Sequence, residues 1–251
     1  MASLLRSVLR ANVAASQWLN RQMPPEIVRD GNRDFLDHFL PRFLVRDSKI
    51  YDVGGGKQPY LSPQRKQELN ATVFGLDISA KELEAAQDGA YDKRIVADVC
   101  HYTGASDADL VICQSLFEHV ADTQSAIRGM ASCLTHGGML VAFIPCRNAP
   151  FARLNLVLPE TLKRRLLFAL YPEARHAQGF VAYYDRCVPN AVRTMLENEG
   201  FEIIELKPYW QSAYFSFLFP LHALWRFWTL LIFKLRATEY CETFSLAARK
   251  R

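Results

Sequence analysis

Two hydrophobic patterns alternate along the chain from Lys49 onward. Short runs of nearly continuous apolar residues predict buried parallel strands, and the segments between them, with apolar residues every three or four positions, predict amphipathic helices. This alternation indicates βαβ units, which form a parallel sheet covered by helices on both faces. The predicted strands are KIYDVG, TVFGLDI, KRIVADV, ADLVICQS, GGMLVAFIP, FEIIELKPYW and CETFSLAARK.

Composition favours one large α/β domain. The chain has 251 residues, of which 50% are hydrophobic, and this is enough for a full core. The net charge of +4 comes with no basic block that has interleaved aromatic residues, so we expect no nucleic acid partner. The six cysteines form neither a CxxC pair nor a Cys/His cluster. We therefore expect no metal site, no disulfide framework and a reducing, cytoplasmic location.

The first 45 residues are predicted to be a helical extension of a domain that covers residues 46–251. The segment before Glu26 contains arginines and serines and no acidic residue. This composition is compatible with an organellar transit peptide, but the preferred interpretation is an amphipathic lid or surface helix that has Leu4, Leu5, Val8, Leu9 and Val13 on one stripe.

Polar residues follow the predicted strands at the points where ligands bind in open α/β sheets. Asp52 and three glycines, Gly54, Gly55 and Gly56, end the first strand, Asp77 ends the second and Asp98 the third. A dinucleotide fold would have a third glycine where Pro59 stands. A nucleoside cofactor such as S-adenosylmethionine instead needs a carboxylate for the ribose and a second acid near the adenine, and Asp77 and Asp98 fit these two functions.

In this order the segments IYDVGGGKQP, VFGLDIS, RIVADV, ADLVICQSLFEHVAD and LTHGGMLVAFIP resemble the class I S-adenosylmethionine-dependent methyltransferases, particularly the type 11 group. The resemblance implies a Rossmann-like sheet of seven strands, mostly parallel with the last antiparallel, and insertions at about 146–187 and 211–237. It also implies functions for eight residues. The methionine end of S-adenosylmethionine would contact Asp52, Gly54, Gly55 and Gly56, the ribose Asp77, and the adenine Asp98 and Val99, while Gln114 would close over the cofactor.

An oxygen acceptor would require a general base, for which His119, His176 and Tyr184 are the candidates. The Asn-Pro-Pro-Tyr motif of amino-methylating relatives is absent where QSLFEH stands, which favours an oxygen or carbon acceptor. The aromatic insertions suggest a small or amphipathic acceptor, including a lipid-linked one or a glycan. A nicotinamide-dependent oxidoreductase and a non-catalytic methyltransferase-like binding module are the alternatives.

The apolar run from Tyr214 to Arg236 is not predicted to cross a membrane, because Pro220 divides it and Arg226 lies inside it. The segment from Leu221 to Arg236 is expected to be either an interfacial helix, whose Arg226 and Lys234 reach lipid head groups, or a core helix or dimer contact.

Overall fold

A computed structural model describes residues 2–159, 180–211 and 215–251. It contains a seven-stranded sheet in the order β3-β2-β1-β4-β5-β7-β6, in which only β7 runs antiparallel to its neighbours. The predicted mostly parallel sheet with an antiparallel last strand is therefore confirmed. The strands are β1 (Lys49–Val53), β2 (Thr72–Asp77), β3 (Lys93–Val96), β4 (Ala108–Gln114), β5 (Leu134–Pro145), β6 (Phe201–Tyr209) and β7 (Thr243–Lys250).

Helices connect these strands and precede the first one. A helical segment over residues 31–43 widens into π geometry at Phe35–Phe39 and tightens into a 3-10 turn at Leu40–Phe43. Short 3-10 turns also occur at Phe117–His119 and Thr238–Tyr240. The α-helices are α1 (Ala2–Arg21), α2 (Pro25–Val28), α3 (Gly31–Asp34), α4 (Pro63–Leu69), α5 (Ala80–Glu84), α6 (Thr123–Cys133), α7 (Pro150–Val157), α8 (Pro189–Asn198) and α9 (Phe219–Lys234).

Both faces of the central strands β1, β4 and β5 are buried, as the continuous apolar runs predict. Along β4, Leu110 and Ile112 belong to one apolar layer, whereas Val111 and Cys113 belong to the other. Successive side chains of a strand point to opposite faces, so the part of a strand that is covered on both sides, here Leu110–Cys113, is apolar at successive positions. The helical segment at 31–43, α4 and α5 contribute to the first layer, and α6 and α8 contribute to the second.

Helix α1 packs against α9 through two asparagines. Asn12 Oδ1 accepts the Phe219 amide at 2.8 Å, and Asn20 Oδ1 accepts from Arg226 Nε at 2.7 Å. Arg226 is fully buried, with its Cζ 4.2 Å from the centroid of the Trp225 ring. The expectation that Arg226 reaches a lipid head group is therefore wrong. In the described part of the chain, no helix combines the length and hydropathy needed to cross a bilayer.

Candidate cofactor site at the carboxyl edge of the sheet

The carboxyl ends of β1 to β4 open into one cavity of 420 Å³. Residues far apart in the chain meet there because parallel strands end at the same edge of the sheet. Of the residues predicted from the sequence, the cavity is lined by Gly54, Asp77, Asp98, Val99 and His119.

The turn after β1 has no room for side chains. Gly54 has φ +78° and Gly56 has φ +49°, in the region that favours glycine. A Cβ at Gly54 would lie 3.0 Å from Leu116 Cδ1, and one at Gly56 would lie 3.2 Å from Asp77 Oδ2. A Cβ at Gly55 would come 2.5 Å from an oxygen of Asp52. The three glycines thus bring the backbone close to the carboxylates of β1 and β2.

Asp52 lies beneath this turn and does not line the cavity. Its Oδ2 accepts the Tyr60 amide at 2.9 Å and lies 3.4 Å from the Tyr91 hydroxyl. Burial raises the pKa of Asp52 to about 6, although both of these bonds favour the charged form. The Tyr91 hydroxyl also lies 3.1 Å from the Gly56 carbonyl. Asp52 therefore stabilises the turn through the Tyr60 amide and through Tyr91, which contacts the turn backbone.

Asp77 closes β2 and faces the cavity. Its Oδ1 accepts the Ser79 amide at 2.8 Å. One oxygen is engaged in this bond, so the carboxylate retains acceptor capacity for a ligand. Burial raises the pKa of Asp77, and the charge of Glu82 raises it further. Hydroxyl donors from a ligand would offset both effects.

Asp98 and Val99 form the wall at the end of β3. Asp98 accepts the Cys100 amide at 2.9 Å, and its other oxygen lies 3.1 Å from His101 Nδ1. Burial acts to raise the pKa of Asp98, but these bonds outweigh it and lower the pKa. Helix α6 approaches this wall so closely that a Cβ at Gly129 would lie 1.9 Å from the Val99 carbonyl oxygen.

Gln114 does not line this cavity. Its Nε2 donates to Asn32 Oδ1 at 2.7 Å, and the residue lines a second cavity of 530 Å³ together with Gln58, Pro59 and Tyr60. Asn32, in the helical segment at 31–43, holds the amide there. The structure therefore does not place Gln114 over the first cavity.

The three candidate bases have different positions. His119 lines the cavity, and its Nδ1 lies 3.0 Å from the Val181 carbonyl oxygen. A carbonyl only accepts, so this bond assigns the proton to Nδ1 and leaves the lone pair on Nε2. Tyr184 is buried in the core, and its neighbour Tyr183 lines the cavity instead. His176 lies outside the described residues.

Glu118, beside His119, is almost completely buried. Its backbone carbonyl accepts the amides of Tyr183 and Tyr184 at 2.7 and 3.1 Å, which ties this segment to the turn after β4. Its side-chain Oε2 has no hydrogen-bond partner among the residues that the structure describes. Burial raises the pKa of Glu118 to about 8, so the carboxyl group is mostly neutral at pH 7.

Several lining residues escaped the sequence analysis because they are neither charged nor glycine. Ile78 and Leu116 are examples, and their places next to Asp77 and to the end of the fourth predicted strand were the signal that could have identified them. Phe180 and Tyr183 also line the cavity and belong to the segment after β5. Within the described residues, no cluster of three or more His, Cys, Asp or Glu side chains could hold a metal ion.

The methyltransferase domain family of type 11 matches residues 51–142. Among curated proteins, the ubiquinone biosynthesis O-methyltransferase of Cupriavidus pinatubonensis is 22% identical over 63% of this chain and 62% of its own. The trans-aconitate 2-methyltransferase of Afipia carboxidovorans is 27% identical over 62% of this chain and 61% of its own. The chain thus matches about three fifths of the length of these two relatives.

Solved structures share the fold at lower identity. An S-adenosylmethionine-dependent methyltransferase from Mesorhizobium loti superposes with a TM-score of 0.52 at 17% identity, covering 94% of this chain and 98% of its own. The geranyl diphosphate C-methyltransferase of Streptomyces coelicolor superposes with a TM-score of 0.53 at 11% identity, covering 85% and 74%. Residues 51–142 thus match the methyltransferase domain family of type 11, and the described chain has the fold of solved S-adenosylmethionine-dependent methyltransferases.

Proposed function

We propose that the protein transfers a methyl group from S-adenosylmethionine to an oxygen or carbon atom of a small or amphipathic acceptor. The observation that carries this proposal is the meeting of Gly54, Asp77 and His119 in one cavity. A backbone turn without side chains, a carboxylate with free acceptor capacity and an imidazole with a free lone pair are what binding and methyl transfer to oxygen require.

The residues present fit the cofactor. Asp77 would accept hydrogen bonds from the ribose hydroxyls, and Ile78, which is 61% exposed, offers apolar surface for the adenine beside Val99. Asp98 would contact the adenine through Oδ2, the oxygen that lies 3.1 Å from His101 Nδ1. When bound, S-adenosylmethionine would supply a methyl group on a positively charged sulfur atom, and this sulfur would leave as a neutral thioether when an in-line nucleophile bonds to the methyl carbon.

His119 is proposed as the general base for an oxygen acceptor. As the bond from the acceptor oxygen to the methyl carbon forms and the sulfur–carbon bond breaks, Nε2 would take the hydroxyl proton. The Nδ1 bond to the Val181 carbonyl fixes the ring in the required tautomer. Phe180, with its ring centroid 6.0 Å from that of His119, and Tyr183 would help to exclude water.

The acceptor class follows from the relatives and from the side chains at the cavity. The two curated relatives are named for an O-methylation and for trans-aconitate methylation, and the Streptomyces coelicolor enzyme is named for a C-methylation. An amphipathic or lipid-linked acceptor fits the exposed apolar side chains of Phe180 and Tyr183 at the cavity, which are 53% and 47% exposed.

A nicotinamide cofactor is disfavoured by the start of α4. In dinucleotide-binding folds the helix follows the glycine turn directly, so that its N-terminus faces the pyrophosphate. Here the turn ends at Gly56, and α4 begins only at Pro63.

Radiolabelled methyl transfer tests the proposal. The protein is incubated with methyl-labelled S-adenosylmethionine and either the lipid extract or the aqueous metabolite extract of cells that make it. Transfer of label to a product whose carbon NMR spectrum shows an O-methyl or C-methyl group would support the proposal. An N-methyl product, or no product from either extract, would contradict it.

The variant His119→Gln separates catalysis from binding. It should lower kcat by about 100-fold or more while leaving the Kd for S-adenosylmethionine within about threefold of wild type. The control Tyr184→Phe removes a hydroxyl group outside the cavity and should leave kcat unchanged. Full activity of His119→Gln on a hydroxyl acceptor would refute the assignment of the base.

A further inference from the structure

The outer face of α9 carries an unusual concentration of exposed apolar side chains. Seven of the twenty exposed large apolar residues in the described part of the chain fall between positions 218 and 235. Six of them recur at a spacing of three or four residues, which places them within an arc of about 120° at 100° per residue. These six are 37–67% exposed and comprise Leu221, Leu224, Phe227, Trp228, Leu231 and Leu235. We call this set the outer stripe.

The opposite face of α9 is the one that packs against the protein. Trp225 donates from Nε1 to Glu242 Oε1 at 2.6 Å, and Asn20 of α1 contacts both His222 and Arg226. Trp225, His222 and Arg226 are all buried. The inner face of α9 therefore contacts the core and α1, whereas the outer stripe faces the solvent and can contact a partner.

The segments that form α1 and α9 carry charge of one sign. Residues 1–25 and 215–238 contain six basic residues and no acidic residue, which leaves 24 basic against 26 acidic residues in the rest of the chain. The excess positive charge of the protein thus lies entirely on the segments that form α1 and α9. Five of the six basic residues are exposed, namely Arg6, Arg10, Arg21, Lys234 and Arg236.

We propose that the outer stripe lies on an anionic lipid surface, with the basic residues of α1 and of the end of α9 at the level of the head groups. Leucine, phenylalanine and tryptophan on one face, with lysine and arginine beside them, form the composition that inserts shallowly into a membrane interface. A symmetric contact between two copies would instead bring the same positive patches together without an acidic counterpart.

This surface lies at the edge of the sheet that carries the cofactor cavity. The connection that contains α9 runs from the end of β6 to the start of β7. Because β7 is antiparallel, its start lies at the same edge of the sheet as the carboxyl end of β6, so this connection begins and ends at the carboxyl edge. A membrane held there would present an amphipathic acceptor to the same edge. Lipid binding itself requires neither methyl transfer nor a particular acceptor, so it is tested independently of the proposed function.

Vesicle co-sedimentation of the full chain tests the proposal. The vesicles are pure phosphatidylcholine or phosphatidylcholine with about one third phosphatidylglycerol, at about 0.1 M and 0.5 M salt. The variant Leu224→Ser, Trp228→Ser removes outer-stripe residues that are 66% and 39% exposed. Its matched control, Val45→Ser, Ile204→Ser, removes apolar residues that are 65% and 39% exposed elsewhere on the protein.

We expect wild type and the control to pellet with the anionic vesicles, less so at high salt, and to bind pure phosphatidylcholine weakly. The outer-stripe variant should have a partition coefficient at least about tenfold lower. Thermal melting of both variants would establish that each is folded. Equal pelleting of the two variants, or no pelleting of wild type with either lipid, would overturn the proposal. A wild-type dimer that the outer-stripe variant dissociates, without lipid binding, would show instead that the stripe is a self-interface.

Discussion

The substitution Asp77→Asn tests the cofactor site most sharply, because it removes the charge and preserves the shape. The asparagine carbonyl can still accept the Ser79 amide, which Oδ1 of Asp77 does at 2.8 Å in the wild type. The start of α5 should therefore remain intact. The amide retains one acceptor oxygen and replaces the other by a donor, which cannot accept a ribose hydroxyl.

The expected magnitude follows from the strength of the bonds that change. A hydrogen bond to a charged group contributes about 1.5–3 kcal/mol and a neutral one about 0.5–1.5 kcal/mol. Weakening one ribose contact and losing another should cost about 2–3 kcal/mol, or about 30- to 150-fold in Kd. Isothermal titration calorimetry with S-adenosylhomocysteine measures this directly.

The pH dependence provides a second readout of the same variant. In the ligand-free protein burial raises the pKa of Asp77, so lowering the pH through that pKa protonates the carboxylate and weakens cofactor binding. Asp77→Asn should lose this dependence. The control Asp88→Asn makes the same change in charge at an exposed position and should bind like wild type. A folded Asp77→Asn protein that binds within about threefold of wild type would refute the reasoning.

Three further predictions concern the residues around the cavity. The carboxyl of Glu118 has a pKa of about 8 when folded, against an ordinary 4.5. Between pH 4.5 and pH 8 unfolding releases this proton, so the free energy of unfolding falls by about 1.4 kcal/mol per pH unit as the pH rises. Urea unfolding of Glu118→Gln at several pH values should show a dependence of the free energy of unfolding on pH that is shallower by that amount. An unchanged dependence would contradict the burial of a neutral acid. Gly129→Ala should weaken cofactor binding and lower Tm, because its Cβ would lie 1.9 Å from the Val99 carbonyl oxygen; a variant with wild-type Tm and Kd would mean that this wall is not tightly packed. Gly54→Val should abolish the rise in Tm that S-adenosylhomocysteine causes, because φ of Gly54 is +78° and the added Cβ would lie 3.0 Å from Leu116 Cδ1. A retained rise would show that the cofactor does not bind at this turn.

The sequence predicted the sheet well because its signals were local and repeated. Apolar runs such as the one along β4 must be covered on both faces, and this requirement fixes the layers whatever the details of the loops. Asp77 and Gly54 reach one cavity for the same reason, since strand ends converge at one edge. The pattern therefore predicted which residues lie at the edge, although it could not distinguish neighbouring cavities there.

Side-chain orientation was the part that the sequence could not determine. Gln114 faces Asn32, and this contact depends on a helix more than 80 residues away. Arg226 was expected at a head group and is buried against α1, because the helical period alone does not say which of two apolar faces packs inward. Tyr184 was expected at the cavity and lies in the core, while Tyr183 lines the cavity, because two backbone hydrogen bonds to Glu118 fix the position of this segment.

The most direct test of the central claim is calorimetric titration of the purified protein with S-adenosylmethionine and, in parallel, with NADH. A cavity with a glycine turn and Asp77, but without a helix N-terminus for a pyrophosphate, predicts one saturable site per chain for S-adenosylmethionine and no binding of NADH. Saturable binding of NADH, or no binding of S-adenosylmethionine to the folded protein, would contradict the assignment of this cavity as the cofactor site.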